Sequence, residues 1–245
     1  MGKTVLITGA AKGIGRQIAL DFLQDGYNVC INYNTSSKQA YELKEMSLTT
    51  HQNLIVYRAD VSNREEVDSM VDFVLECFGS IDVLVNNAGI SELKLFTDIE
   101  ISDMQKMINT SIMGTFNTTQ SVLKKFMIGK KEGSIINISS IWGLVGASCE
   151  VHYATVKSAI DGMTKSLAKE LGLCNIRVNS VAPGVIKTDM LSSFSEQELT
   201  DLIEQIPLNR LGEVEDVSKL VKFLGSKDAS YITGQVISPN GGIVI

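Results

Sequence analysis

Short apolar runs rich in β-branched residues alternate along the chain with segments of helical period. The runs are KTVLIT (3–8), NVCINY (28–33), LIVYRA (54–59), IDVLVN (81–86), SIINIS (134–139), IRVNSV (176–181) and QVISP (235–239). Their continuous apolar character predicts strands buried on both faces. Amphipathic stretches near 14–25, 38–48, 64–78, 101–128, 153–171, 196–205 and 214–225 separate them, with no repeat, low-complexity tract or linker. Strict alternation implies parallel strands joined by right-handed crossovers. The expectation is an α/β fold, a single doubly wound (Rossmann-type) domain over 1–245 with a seven-stranded parallel sheet covered by helices on both faces.

In such sheets ligands bind outside the carboxyl ends of the strands. The residues just after each run are Gly9 to Gly15, Asn34 to Ser36, Asp60 and Val61, Asn86 to Gly89, Ser140, and Pro183 with Gly184. They hold almost all the unusual polar and glycine-rich sequence, so function is expected along that edge. The first of them, TGAAKGIG (8–15), carries Gly9, Gly13 and Gly15 straight into a helix. Glycines there let the backbone turn sharply and approach a pyrophosphate, whose charge the free N–H groups of a helix start favour. A glycine-rich turn alone is a weak signal, and its place after the first strand strengthens it.

The second run ends in NYNTSSK (32–38) with no Asp or Glu. A carboxylate at this place would hold the ribose hydroxyls of NAD and repel a 2′-phosphate. Asn34, Thr35 and Ser36 can instead donate to a phosphate, and Lys12 or Lys38 can supply positive charge. The pattern points to NADP(H), although NTSS equally suits a helix cap through Ser36 or Ser37. Asp60 and Val61 are placed to meet an adenine, the Asp accepting from an exocyclic amine, and Asp60 equally suits a turn. Asn87, Ala88 and Gly89 suit a turn crowded against a ligand.

Charge and composition narrow the classes of function. A net charge of −6 and a pI near 5.1 argue against a broad nucleic-acid or anionic-membrane surface. No apolar run approaches the roughly 18 residues needed to span a bilayer, and the first strand begins too early for a signal peptide. A cytoplasmic protein is expected. Cys30, Cys77, Cys149 and Cys174 are scattered without a CxxC pair, and His51 and His152 are the only histidines, so no metal site is expected and the thiols are read as reduced and mostly buried.

The remaining chemistry lies in SSIWGLVGASCEVHYATVK (139–157), a polar, irregular stretch leading into a long helical pattern. Tyr153 and Lys157 fall four apart, on one helix face. A nicotinamide supplies hydride but no proton, so carbonyl reduction needs a nearby acid, and Tyr153 offers one. Free tyrosine, with a pKa of about 10, is too weak an acid near neutrality; Lys157 one turn away would lower that value. Ser140, at the end of the fifth run, can hold a substrate carbonyl. Each residue singly suits a structural role, and only their combination with the phosphate turn favours catalysis.

With TGAAKGIG, Asp60-Val61, NNAG (86–89), Ser140, Tyr153, Lys157 and APGVIKTDM (182–190) in hand, the chain resembles the short-chain dehydrogenase/reductase family throughout its length. The resemblance implies Ser140 as carbonyl anchor, Tyr153 as proton donor, and Lys157 as ribose binder and tuner of Tyr153. It also implies a cofactor site that includes Ile14, Pro183 and Gly184, with Val185, Ile186 and Thr188 bordering the nicotinamide. Ser111 falls where many relatives carry an Asn that orders a proton-relay water, while Asn109 should face elsewhere. A mobile lid over 190–206 and a homotetramer with the C-terminal segment near an interface are further implications.

Among subgroups the chain is similar to 3-oxoacyl-(acyl-carrier-protein) reductases through INYNTSS, IPLNRLGEVEDV (206–217) and YITGQVISPNGG (231–242). An acyl-carrier-protein thioester is then the expected partner, and Lys124, Lys125, Lys130 and Lys131 form a candidate docking patch that equally reads as a solvated helix end. Lys131 matches a basic docking residue of those reductases, while the second falls at Cys174. WGLVGASCEVHY (142–153) also resembles reductases of 5-aminopentanone carried on a lysine of elongation factor P. Glu150 could pair with the ammonium of such a protein-linked ketone and Trp142 offer a cation–π face; both equally suit solvent-facing and gap-filling roles. A catalytically silent nucleotide-binding regulator is the remaining alternative, disfavoured by the presence of Ser140, Tyr153 and Lys157 together.

Overall fold

The apolar runs pair side by side in one parallel sheet. The structure, a computed structural model, describes residues 2–49, 53–191 and 194–245. Seven strands, β1 Thr4–Ile7, β2 Asn28–Tyr33, β3 Leu54–Arg58, β4 Val83–Asn86, β5 Gly133–Ile138, β6 Ile176–Val181 and β7 Val236–Ile237, run in the order β3-β2-β1-β4-β5-β6-β7. All pairings are parallel; Val5 of β1, for example, lies opposite Val29 of β2 and Val83 of β4. The order reverses between β1 and β4, which opens a crevice at their carboxyl ends.

The principal helices are α1 Gly13–Gln24, α2 Ser37–Thr49, α3 Arg64–Phe78, α4 spanning 101–130, α5 Ile141–Val145, α6 Val151–Leu171, α7 Glu196–Glu204 and α8 Val214–Gly225. Residues alternating along each central strand feed two cores. Val5 and Ile7 pack with Phe22, Ile18, Leu43 and Val221 on one face, and Leu6 packs with Met70, Val74, Met127 and Leu171 on the other. Full burial of Phe22 alone contributes about 1.5–3 kcal/mol.

Sequence bounds and structure coincide where local chemistry marks the ends. The α3 helix covers 64–78 as expected, because the Asn63 side chain accepts from the N–H groups of Glu65 and Glu66 and Gly79 closes the helix in a left-handed conformation. Burial on both faces holds for β1, β2 and β4 but not for β3, an edge strand whose Ile55, Val56 and Tyr57 are only partly buried, nor for the two-residue β7. The thiols also differ from expectation. All four are free, but only Cys30 is buried and Cys77 is exposed. The α4 helix extends to Lys130 and contains two π-helical segments, Ile108–Met113 and Leu123–Met127. His51 lies outside the described residues, as do positions 192 and 193 of the expected lid.

Candidate active site

Each element that meets the carboxyl edge delivers one part of the site. At the crevice, Gly9 adopts φ +62° and an added Cβ would stand 2.8 Å from the Ala88 Cα, so β1 and β4 can approach only with glycine there. The Asn87 amide nitrogen donates to the carbonyls of Thr8 and Gly9 at 3.0 and 2.9 Å, and the Thr8 hydroxyl accepts from the N–H groups of Asn87 and Ala88. Asn87 thus locks the turn. Lys12 precedes α1 without giving it a side-chain cap, so the first N–H groups of the helix are left for an anion.

The expected catalytic residues converge. A cleft of about 840 Å³ is lined by Ser140, Tyr153 and Lys157, together with Ile14, Asn87, Gly89, Pro183, Gly184, Val185, Ile186 and Thr188. Ser140 caps α5, its hydroxyl accepting from the Trp142 N–H at 3.2 Å. This short helix lies within the stretch read as irregular, and it brings Gly143 against α6 so closely that an added Cβ would stand 3.0 Å from the Lys157 Cβ. The Ser158 hydroxyl seals the contact by donating to the Gly143 carbonyl at 2.6 Å. Position 143 therefore sets where the helix carrying Tyr153 and Lys157 sits.

Lys157 is buried, and its Nζ donates to the Ile138 carbonyl at 2.8 Å and stands 5.5 Å from the Tyr153 ring centre. Burial pulls the ammonium down to about 8, with Asp161 opposing. The lowering of Tyr153 expected from Lys157 is not found in the chain by itself: burial pushes the phenol up to about 12, a hydrogen bond with Ser140 offsets part of the rise, and the Glu150 charge adds to it. Ser111 is fully buried in the first π-helical segment, and its hydroxyl has no hydrogen-bond partner among the described residues. An added Cβ on Gly89 would meet Lys157 Nζ at 3.5 Å and Ser111 Oγ at 3.9 Å, so the two side chains border one small space. Asn109 turns to Gln105 instead.

Glu150 and Trp142 line the same cleft, as do Ser91, Glu92, Leu93, Leu191, Phe194 and Leu202. The Ser91 hydroxyl donates to the Glu150 carboxylate at 3.2 Å. Burial holds that carboxyl above its ordinary value, while Ser91 and Trp142 draw it back. Among the described residues no cation pairs with Glu150, because Lys94 nearby is taken by Asp103 and Glu92.

The residues expected to meet an adenine make contacts within the fold. Asp60 accepts the Ser62 N–H and hydroxyl at 2.9 and 2.7 Å, the turn role left open above. Val61 is buried against Gly114, and its carbonyl accepts from Asn117. Asn34 and Thr35 are exposed, Ser36 is partly buried, and Lys12 makes only a long, exposed contact of 3.8 Å with Asp189. Sequence reasoning missed Arg58, whose Nε donates to the Asn34 carbonyl at 3.2 Å. Its position as the last residue of β3, next to Ala59-Asp60, was the available signal.

The uncapped start of α1, the space bordered by Gly89, Lys157 and the unpartnered Ser111 hydroxyl, and the continuous cleft fit a nicotinamide dinucleotide. Fold and site define an oxidoreductase of the Rossmann class that acts between CH–OH and C=O. Residues 9–244 match the family model described as enoyl-(acyl carrier protein) reductase. The chain is 41% identical over 243 residues to the 3-oxoacyl-[acyl-carrier-protein] reductase FabG of Staphylococcus epidermidis, covering 99% of each chain. It is 41% identical over 244 residues to the FabG of Thermotoga maritima, covering 100% of this chain and 98% of that one. An uncharacterized oxidoreductase of Bacillus subtilis, YmfI, is 40% identical over 243 residues and 99% of each chain. The chain belongs to the short-chain dehydrogenase/reductase family, whose members use a nicotinamide cofactor. No helix among the described residues is long and apolar enough to cross a membrane.

Proposed function

We propose that the protein is an NADPH-dependent 3-oxoacyl-[acyl-carrier-protein] reductase. The observation that carries the reading is the convergence of Ser140, Tyr153 and Lys157 on one cleft in a chain that aligns end to end with such reductases. The nicotinamide, when bound in reduced form, supplies the hydride. Ser140 holds the carbonyl oxygen by its hydroxyl, and Tyr153 gives that oxygen its proton. Lys157 holds the ribose and, by its charge, favours the phenolate that remains. The unpartnered Ser111 hydroxyl holds a water for proton return, the task given to Asn in many relatives. Leu191, Phe194 and Leu202 form the apolar side of the acyl path.

NADPH is favoured over NADH by the lack of a carboxylate at positions 34–36 and by Arg58 beside Asn34. The test is turnover of a 3-oxoacyl thioester with each cofactor, beside a 2-enoyl thioester as control. Equal efficiency with NADH overturns the cofactor reading, and reduction of the enoyl substrate alone overturns the reaction. Arg58→Gln should raise the KM for NADPH about tenfold and leave NADH untouched.

One observation favours a second substrate reading: Glu150 faces the cleft with no cation of its own, next to Trp142. A ketone bearing an ammonium group, protein-linked as 5-aminopentanone is on elongation factor P, would supply that cation. Faster turnover of an amino-ketone than of a 3-oxoacyl thioester decides for it. A homotetramer is supported by exposed apolar residues on α4 and α6, among them Ile101, Phe116 and Val151, and at Tyr231 and Ile245 toward the C-terminus. Light scattering of the purified protein tests it.

A further inference from the structure

Asp161 lies one turn beyond Lys157 on α6 and is only 4% exposed. Its two carboxylate oxygens accept from Ser180 Oγ at 2.7 Å and from Ser139 Oγ at 3.0 Å. Ser139 Oγ also lies 3.3 Å from the Lys157 carbonyl, and its backbone N–H donates to the Val181 carbonyl. One carboxylate therefore ties together β5, just before Ser140, β6, just before Pro183, and α6, which carries Tyr153 and Lys157. Nothing in the proposed reaction touches it.

A hydrogen-bonding hub needs no ionisable group, and an amide or a third hydroxyl would serve among two serines. A buried carboxylate is costly unless its charge is used. The adjacent buried charge is the ammonium of Lys157, and among the described residues no carboxylate lies within ion-pair distance of it. We propose that Asp161 is a positioning residue that keeps Lys157 charged at one remove. The two serines turn the carboxylate away from direct contact, so the ammonium has a countercharge while two of its three N–H donors stay free. The inference rests on the reading of Tyr153 and Lys157 as a working pair.

The surroundings are consistent with this assignment. Burial pushes the Asp161 carboxyl up, while Ser180, Ser139, Lys165 and Lys157 draw it down. Burial lowers Lys157, and Asp161 is the charged group that raises it. Of the other groups around the lysine, β5 presents the Ile138 carbonyl, Ser139 just after it meets the Lys157 carbonyl, Ser140 lines the same cleft, and α4 presents Ser111, all uncharged; Ser180 of β6 meets Asp161. On α6 itself, Tyr153 is held neutral by burial, and the charge of Glu150 at the helix start acts on Tyr153.

The test is Asp161→Asn, which preserves shape and can still bond both serines. In ketone reduction the alkaline limb of the kcat profile should move down by about one pH unit, because Lys157 loses its proton earlier. A second readout needs no turnover. The loss in Tm should be largest near neutrality and should shrink above the Lys157 value of about 8, where the lysine is neutral with or without Asp161. An unmoved limb together with a Tm loss that does not vary with pH overturns the proposal and leaves a plain hydrogen-bonding hub. Where Asp161→Asn alone folds poorly, it is placed in a Lys157→Met background. There it should cost less stability than in the wild type, and equal costs overturn the proposal. Absence of ketone turnover in the wild type sinks the catalytic reading, whereas the Tm and double-variant measurements decide the charge coupling separately.

Discussion

On one wall of the cleft, Lys157 donates to the Ile138 carbonyl, Ser140 caps α5, and Asp161 accepts from Ser139 and Ser180, so helix and strands hold every group from beneath. The second wall is the rest of the lining, where Glu150 is held by the Ser91 hydroxyl and by Trp142, and Leu191 and Phe194 flank positions 192 and 193, which lie outside the described residues. The first wall is made by the sheet, the second by loops. Chemistry that all substrates share belongs on a rigid scaffold, and selection among substrates belongs on segments that can differ without disturbing it. The comparison therefore separates effects on kcat from effects on substrate choice.

The sharpest way to break it is Tyr153→Phe. Loss of one positioned acid should lower kcat by about 10² to 10⁴-fold with little change in Tm, measured as NADPH oxidation with a 3-oxoacyl thioester. A fall below tenfold would mean that the rigid wall does not hold the proton donor. Gly143→Ala comes next. Its methyl would meet the Lys157 Cβ at 3.0 Å and the Ser158 nitrogen at 3.1 Å, both in the body of α6. Overpacking there should cost about 1–3 kcal/mol in denaturant titration and about tenfold in kcat, with KM nearly unchanged. A change in KM alone would show that the two walls are not independent.

The loop wall is probed by Glu150→Gln, with an expected effect of about three- to tenfold on the ratio of amino-ketone to 3-oxoacyl turnover. The same variant has a signed pH effect. Burial raises the folded Glu150 above its unfolded value, so the native state binds more protons than the unfolded state and stability falls as pH rises through that window. Glu150→Gln should therefore raise Tm at neutral pH and lose the advantage below about pH 4.5, where the carboxyl is protonated in both states. A gain that persists in acid would assign the effect to packing.

The legibility of the sequence follows the same division. Strand bounds such as 28–33 and 176–181 coincide with expectation, because apolar runs between glycine or polar turns have one reading in an alternating chain. Ser140, Tyr153 and Lys157 were legible because strand ends and helical spacing bring them to one edge. The α5 helix was not: its five residues are too few to show a period, and what holds them is Ser140 below and the absent side chain of Gly143 above. Arg58 was missed because its partner is the backbone carbonyl of Asn34, just past the end of β2, a contact that composition does not encode. Asp161 escaped for the same reason, since of the serines that hold it one follows β5 and the other lies in β6.

The smallest expected effect lies farthest from either wall, on the lysine patch at the end of α4. Of its four members, Lys125 pairs with Asp72 and Lys130 with Asp82, which leaves Lys124 and Lys131 facing solvent without a side-chain partner among the described residues. Lys131 sits at the helix end in a left-handed conformation, φ 54°, where a Cβ is a burden that glycine lacks. Lys131→Gly should therefore stabilise the protein by about 0.5–1 kcal/mol in denaturant titration. If the patch receives an acidic carrier protein, the same variant should raise the KM for a carrier-linked 3-oxoacyl substrate about threefold at low salt and leave a small thioester unaffected. Stability and carrier recognition would then move in opposite directions from one substitution. A stability gain with no change in carrier KM would make Lys131 an ordinary solvated helix end and send the search for the docking surface elsewhere on the molecule.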